Sequence, residues 1–386
     1  MSVLSNPTPK SDATPLSGNE NQLIADLLAK ADIQIDGDRP WDIQIHNKNL
    51  AAEVLSRGNL GLGEAYMAGD WDAVHLDEFF NKILGAGLEK EINPMRLIGH
   101  ILKAKLLNRQ TEKRAWKVGE QHYDLGNDFY KSMLDSRMTY TCGYWDNVDN
   151  LEQAQEAKLD LICRKLDLQP GQRVLDIGCG WGSFMGYAAE HYGVECVGVT
   201  ISQEQAAYAK LKYHDLPIEF RLQDYRQVDE QFDHIVSIGM FEHVGPKNYR
   251  TYFEVANRCL KDDGLFLLHT IGKNQRKGGV DPWIDKYIFP NGELPAIGQI
   301  GDSVDNLFVV EDLHNFGADY DKTLMAWHQN FEASWPQFKD ELGKAFYRMW
   351  RYYLLSCAGA FRARDIQLWQ WVLSKNGVAG GYKRVS

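Results

Sequence analysis

Apolar residues first recur at helical spacing over residues 22–31, where Leu23, Ile24, Leu27 and Leu28 share one face. The same spacing predicts helices over residues 50–57 and 76–84, with a mixed segment at 33–45. Between those two helices the run Gly58-Asn-Leu-Gly-Leu-Gly63 reads as a turn. It has no strand before it and no Lys-Ser/Thr after it, so it is not read as a phosphate loop. From about Arg173 the pattern changes. Short apolar strands over 173–177, 195–199, 218–222, 234–238 and 265–269 alternate with helices over 182–191, 202–213 and 249–260. Such alternation predicts an α/β domain, a doubly wound, Rossmann-like parallel sheet covered by helices. Residues 281–321 are irregular and rich in Gly, Pro and aromatics, too long for a simple connection, and read as a pocket wall or lid. Residues 331–373, dense in Trp, Tyr and Phe, read as helix.

Two segments lack this order. Residues 1–18 are rich in Ser, Pro, Thr and Asn and read as a disordered tail. Residues 93–117 set Arg96, Lys103, Lys105, Arg109, Lys113, Arg114 and Lys117 against an apolar stripe that includes Ile98, Ile101 and Leu102. A basic amphipathic stretch is either a membrane-surface docking element or a linker helix packed on its own protein. The predicted organisation is a tail at 1–18, a small helical N-terminal domain at 19–92, the basic segment at 93–117 and a catalytic domain at 118–386.

A length of 386 residues agrees with roughly two domains of ~150 residues each. A net charge of −11 argues against general nucleic-acid binding, which needs a basic face. The six cysteines contain no C-x-x-C pair, so neither a zinc knuckle nor a thioredoxin motif is present and no metal is expected. No apolar run suits a signal peptide or a bilayer span, which predicts a cytoplasmic protein with reduced thiols.

The strongest motif, Val174-Leu-Asp176-Ile-Gly178-Cys-Gly180-Trp-Gly182, falls where a first strand hands over to a first helix. Glycine there lets the backbone approach a ligand at the carboxyl end of the sheet. A dinucleotide fingerprint would have glycine where Ser183 stands. Asp176, two residues before the first glycine, suits a cationic or hydroxyl-bearing ligand better than a pyrophosphate. The run resembles motif I of class I S-adenosylmethionine-dependent methyltransferases. At the end of the second strand Gly198-Val-Thr200-Ile-Ser202 lacks the acid those enzymes use for ribose. Gln205 is placed to bind ribose or the methionine end, or to complete a capping box with Ser202. Asp224 and Tyr225 after the third strand suit an exocyclic amine and an adenine face.

Four further segments suggest a reacting centre: Tyr140-Thr141-Cys142-Gly-Tyr-Trp, Met240-Phe-Glu242-His, Leu268-His269-Thr-Ile271-Gly and Gly317-Ala-Asp-Tyr320-Asp. Glu242 and His269 are expected just after the fourth and fifth strands, opening onto the cofactor crevice. With His122-Tyr-Asp-Leu-Gly-Asn-Asp128, Gly245-Pro-Lys-Asn-Tyr249 and the Asp281–Gly292 run, nearly the whole chain resembles the cyclopropane-fatty-acyl-phospholipid synthases and their kin, the mycolic acid cyclopropane synthases. Gly143 departs from the family's usual Ala, with little effect expected.

The resemblance implies methyl transfer from S-adenosylmethionine to a cis double bond of a phospholipid acyl chain, then ring closure with a bound bicarbonate as base. It implies that Cys142, Glu242, His269, Ile271 and Tyr320 hold the bicarbonate, Cys142 and Ile271 through backbone groups. Tyr140 and Thr141 fall with Asp176, Gly178, Gly180, Gly182, Thr200, Gln205, Asp224 and Tyr225 on the cofactor side. Cys142 is a wall residue in this reading, not a nucleophile. A lipid substrate implies peripheral docking on the inner face of the membrane, and the family suggests a homodimer. Trp283, Tyr287, Phe289, Trp335 and Tyr352 are candidates for a cation-tolerant pocket, most of them better read as core. The alternatives are a lipid methyltransferase that stops at a branched or hydroxylated chain, a small-molecule methyltransferase and a catalytically dead lipid-binding protein.

Overall fold

The computed structural model describes residues 18–88, 125–276 and 279–385. The predicted tail up to residue 17, the basic segment 93–117 and the start of the His122 motif lie outside the described residues.

Five strands form the parallel part of one seven-stranded sheet: β3 (Arg173–Ile177), β4 (Glu195–Thr200), β5 (Ile218–Leu222), β6 (Phe232–Ile238) and β7 (Leu260–Lys273). Their order is β5-β4-β3-β6-β7, continued by β9 (Ile366–Ser374) and β8 (Val309–Asn315). β9 runs antiparallel to both β7 and β8. The central strands are buried on both faces, which is why they read as continuous apolar runs. Helices α7 (Ser183–Tyr192), α8 (Gln203–Lys212) and α9 (Tyr249–Cys259) follow β3, β4 and β6. The predicted doubly wound α/β architecture is therefore present. α6 (Leu151–Lys165), which follows the short α5 (Asn127–Met133), is capped by Asn150 accepting from the Gln153 N–H at 3.0 Å and packs against α7.

Three expectations change. Residues 331–373 are not one helical region: α12 (Ala318–Ser334) and α13 (Lys339–Arg362) are followed by strand β9. β9 sits between two strands and is buried along nearly its whole length, so it lacks the alternation that marks a strand. Residues 281–321 hold regular elements, α10 (Pro282–Tyr287), α11 (Ile297–Val304) and β8, too short to stand out from their Gly and Pro. The glycine run after α2 (Leu50–Arg57) is mostly helix, α3 (Asn59–Ala68). Gly58, at φ +57°, makes the turn alone. Gly61 and Gly63 serve close packing, because a Cβ would collide with the Glu53 carbonyl and the Trp283 ring respectively.

The N-terminal elements are α1 (Gly18–Lys30), α2, α3, α4 (Leu76–Gly85) and a small ribbon of β1 (Gln44–Ile45) with β2 (Trp71–Asp72); of these, α3 and α4 pack onto α13, and α3 also onto α10. Tyr66 and Phe80 meet Tyr352 at 5.5 and 5.2 Å, and Trp283 packs against the same ring at 4.5 Å, tilted by 55°. Trp283 and Tyr352 are thus core residues. Arg362 on α13 joins Asp77 and Glu78 of α4 at 2.7 and 3.1 Å and Asp321 of α12 at 2.9 Å. One apolar core runs from the N-terminal helices into the C-terminal ones.

Candidate active site

The loop after β3 forms a cradle. Gly178, Gly180 and Gly182 take φ of +85°, +54° and +79°, which glycine adopts without the penalty a side chain would bring. The Gly178 N–H donates to the Val199 carbonyl at 2.9 Å, and Gly182 caps α7. With the ends of β4 and β6 this loop walls a cleft of about 210 Å³. Of the residues read from sequence as cofactor-binding, Tyr140, Thr141, Asp176, Gly178, Gly180, Thr200, Gln205, Asp224 and Tyr225 line it and Gly182 does not.

Asp176 is buried, its Oδ1 has no partner, and burial raises its carboxyl to about 7 against the opposing pull of Lys158. An acceptor left without a donor fits a ligand that brings an ammonium or hydroxyl group. The Ser202 hydroxyl accepts from the Gln205 N–H at 3.3 Å, and the Gln205 side-chain nitrogen stands 4.0 Å from where a Gly180 Cβ would be. Gln205 therefore faces the cradle. Asp224 accepts from Arg226 Nε at 2.8 Å and Nη2 at 2.6 Å, and its remaining lone pairs are what an adenine amine can meet. Burial pushes the Tyr225 phenol up to about 12, so it stays a neutral ring.

A second, larger and mostly apolar space of about 1520 Å³ begins among Leu27, Leu28 and Val54 of the N-terminal helices and ends at Glu242, Ile271 and Tyr320. Tyr140, Thr141, Gly239 and His243 belong to both walls, so the two spaces meet there. Residues 279–282, 284, 289–292 and 294 contribute to these walls. Cys142 and His269 are not among the residues lining either space. His243, which sequence reasoning passed over, is neutral, since burial lowers it to about 4.

Glu242 sits in a single 3₁₀ turn after β6. Its Oε1 accepts the Ile271 N–H at 2.6 Å, its buried Oε2 has no partner, and burial raises the carboxyl to about 7. The Ile271 N–H is thus already engaged by Glu242. His269 lies inside β7 rather than after it, because that strand continues to Lys273 once β9 pairs with it. Its Nδ1 is 3.2 Å from Gln370 Nε2 and its buried Nε2 has no partner. Burial, Lys158 and Lys165 together hold the imidazole well below 6.5, so it is neutral.

Tyr320 stacks on Phe361 at 4.5 Å, and burial keeps its phenol protonated. The Tyr140 hydroxyl donates to that of Tyr353 at 3.0 Å. Behind this wall α6 holds the 140s loop: Gln155 Nε2 donates to the Thr141 carbonyl at 2.7 Å and Lys158 Nζ to the Thr141 hydroxyl at 3.0 Å. Cys142 is fully buried, and desolvation drives its thiol well above 9, the opposite of an activated nucleophile. At Gly143 a Cβ would stand 3.0 Å from that of Ala154, so the family's usual Ala would press on α6.

A sheet of this order, with a glycine cradle and an unpaired acid at the carboxyl end of its first parallel strand, defines a class I S-adenosylmethionine-dependent methyltransferase. Within that class the chain belongs to the mycolic acid cyclopropane synthetase family, whose sequence profile matches residues 110–371. It is 54% identical over 370 residues to cyclopropane-fatty-acyl-phospholipid synthase of Escherichia coli (strain K12), covering 95% of this chain and 96% of that one. It is 38% identical over 285 residues to cyclopropane mycolic acid synthase 2 of Mycobacterium leprae (strain TN), covering 66% of this chain and 92% of the relative. Among solved structures, the cyclopropane synthase MmaA2 from Mycobacterium tuberculosis superposes with a TM-score of 0.64 at 33% identity, covering 67% of this chain and 98% of that one. Mycolic acid cyclopropane synthase CmaA1 complexed with SAH and CTAB gives 0.63 at 35% identity, with 67% and 98% covered.

Proposed function

We propose that this enzyme methylates the cis double bond of an unsaturated phospholipid acyl chain and closes a cyclopropane ring on it. The observation that carries the reading is the junction of the two spaces at Tyr140, Thr141, Gly239 and His243. An apolar space long enough to run from the N-terminal helices to Glu242 suits an acyl chain, and the cleft beyond it suits the methyl donor. The CTAB complex of CmaA1 supports the same use of this fold for long-chain ligands.

An alkene is a weak nucleophile, so it needs the methyl of a sulfonium. The π electrons form a carbon–carbon bond to that methyl, the sulfur keeps its bonding pair, and positive charge is left on the chain. Loss of a proton from the new methyl frees the pair that closes the ring. Bicarbonate, when bound, supplies the base for that proton. Glu242 through Oε2, His269 through Nε2 and Tyr320 through its hydroxyl are the residues we assign to hold it, with the backbone at Cys142. The two unpartnered atoms, Glu242 Oε2 and His269 Nε2, fit a small anion that both donates and accepts. Ile271 acts one step back, fixing Glu242 through its N–H. Neutral His269 and Tyr320 offer protons without competing as bases. Apolar walls exclude water, which would otherwise hydrate the cation to an alcohol.

The N-terminal helices α1, α2 and α4 would then form the inner end of the acyl tunnel as part of the catalytic body. No helix among the described residues is long and apolar enough to cross a membrane, so the acyl chain must be drawn from the bilayer by a docked enzyme.

The test is direct. Purified protein, methyl-labelled S-adenosylmethionine and vesicles of a mono-unsaturated phospholipid are combined, and the acyl chains are followed by mass spectrometry before and after hydrogenation. A gain of one methylene that takes up no hydrogen supports ring closure. A gained methylene that still hydrogenates, or a hydroxylated chain, refutes ring closure in favour of methyl addition alone. Absence of label in lipid from cofactor-binding protein refutes the lipid substrate.

A further inference from the structure

Two buried polar side chains behind His269 have no part in the reaction as written. Lys165 of α6 and Gln370 of β9 are both fully buried, which is costly for an amide and more so for an ammonium. Lys165 Nζ donates to Gln370 Oε1 at 2.9 Å. It also lies 3.1 Å from His314 Nδ1 and 3.8 Å from Asp312 Oδ2. On its other side, Gln370 Nε2 lies 3.2 Å from His269 Nδ1. His269 and Gln370 are direct partners in the antiparallel pairing of β7 with β9, so the contact is set by strand register.

The donor and acceptor inventory of this chain leaves one solution. An ammonium has donors only, so the amide atom facing Lys165 must be oxygen. The amide NH₂ must then face His269, and it too can only donate. His269 Nδ1 must offer a lone pair. A neutral imidazole with its lone pair on Nδ1 carries its proton on Nε2. Nε2 is the atom left buried without a partner.

We propose that Gln370, oriented by Lys165, is a positioning residue that fixes His269 as the Nε2–H tautomer and so presents a hydrogen-bond donor to the reacting centre. The reverse tautomer would aim a lone pair there, which can meet only the single O–H of bicarbonate and not its anionic oxygens. Burial lowers Lys165 to about 8, with Asp312 opposing, so it is mostly charged at neutral pH and keeps the amide oriented. The tautomer follows from these contacts with Lys165 as an ammonium. Its catalytic consequence rests on the reading of His269 given under the proposed function.

The experiment is nitrogen NMR on full-length protein labelled at histidine, with His269 assigned by the signal lost in His269→Asn. In wild type, protonated Nε2 and unprotonated Nδ1 are expected. Protonated Nδ1 in wild type would overturn the proposal, and that result needs no folded variant at position 370. Gln370→Glu sets an acceptor against Nδ1. It is expected to draw the proton there and to lower kcat at least about tenfold, with the KM for S-adenosylmethionine unchanged. Lys165→Met frees the amide to rotate and is expected to give a mixture of tautomers. A Gln370→Glu protein whose His269 signals do not move would also overturn the proposal. Full turnover with a switched tautomer would instead refute His269 as a donor in the reaction, while leaving the relay intact.

Discussion

Changing Glu242 to Gln tests the electrostatics of the site through stability as well as rate. Burial raises the carboxyl from 4.5 to about 7. The native state therefore binds that proton more tightly than the unfolded chain does. The resulting stability is complete below about pH 4.5 and is lost as pH rises through about 7. At about 1.4 kcal/mol for each tenfold change in proton affinity, the ionised native carboxylate costs about 3 kcal/mol at about pH 8.5. At about pH 5.5 the cost is only about 1 kcal/mol. Gln keeps an oxygen for the Ile271 N–H but puts an NH₂ where Oε2 has no partner. That unsatisfied donor costs about 1–3 kcal/mol at every pH. The diagnostic is hence the slope: between those two pH values Glu242→Gln should gain about 2 kcal/mol on wild type. Urea unfolding of both proteins across this range, without ligands, measures it. Parallel pH profiles would mean that Glu242 titrates as an ordinary carboxylate and would refute the reasoning. The same variant should lose at least about a hundredfold in turnover.

Other outcomes follow from named contacts. Cys142→Ser should retain measurable turnover, and the native thiol should resist alkylation at neutral pH by peptide mapping, because it is fully buried and held well above 9. Gly180→Ala places a Cβ with no protein atom nearer than 4.0 Å, so it should cost about 1 kcal/mol of backbone strain yet weaken S-adenosylmethionine binding sharply in calorimetry. Gly198→Ala, whose Cβ would overlap Met185 and come within 2.8 Å of Cys179, should show the reverse order, with the larger loss in melting temperature. Ala51→Trp, in the large cavity, should cut turnover of long-chain phospholipid by about tenfold or more while S-adenosylmethionine binding stays at wild-type strength. Unchanged turnover there would remove the N-terminal helices from the acyl path.

The cofactor cleft was legible in the sequence because its parts are local. Each of Asp176, Thr200 and Asp224 stands at or just past the end of one short apolar strand, and the glycines that need left-handed backbone follow directly. Residues 366–374 were not legible as strand, because a strand buried on both faces carries no period of two. The acyl-sized cavity was hidden for another reason. Leu27, Leu28 and Val54 look like ordinary amphipathic-helix positions, and only tertiary packing leaves their side chains facing empty space. The basic segment 93–117, legible in sequence, lies outside the described residues.

The misread strand is also what makes the reacting centre workable. Five parallel strands alone would leave β7 as an edge, its outer backbone groups open to solvent. His269 would then meet water on Nδ1, and water both donates and accepts, so neither tautomer would be imposed. β9 closes that edge from the opposite direction and lays Gln370 against His269. It also covers Lys165, which comes from α6 on the far side in sequence. The proposed reaction needs a donor of fixed sense beside a cation that water must not reach. An antiparallel strand paired to β7 supplies both conditions at once, by sealing the edge and by seating one amide. Gln370→Glu would leave the seal and change only the amide, so its effect on His269 separates the two contributions.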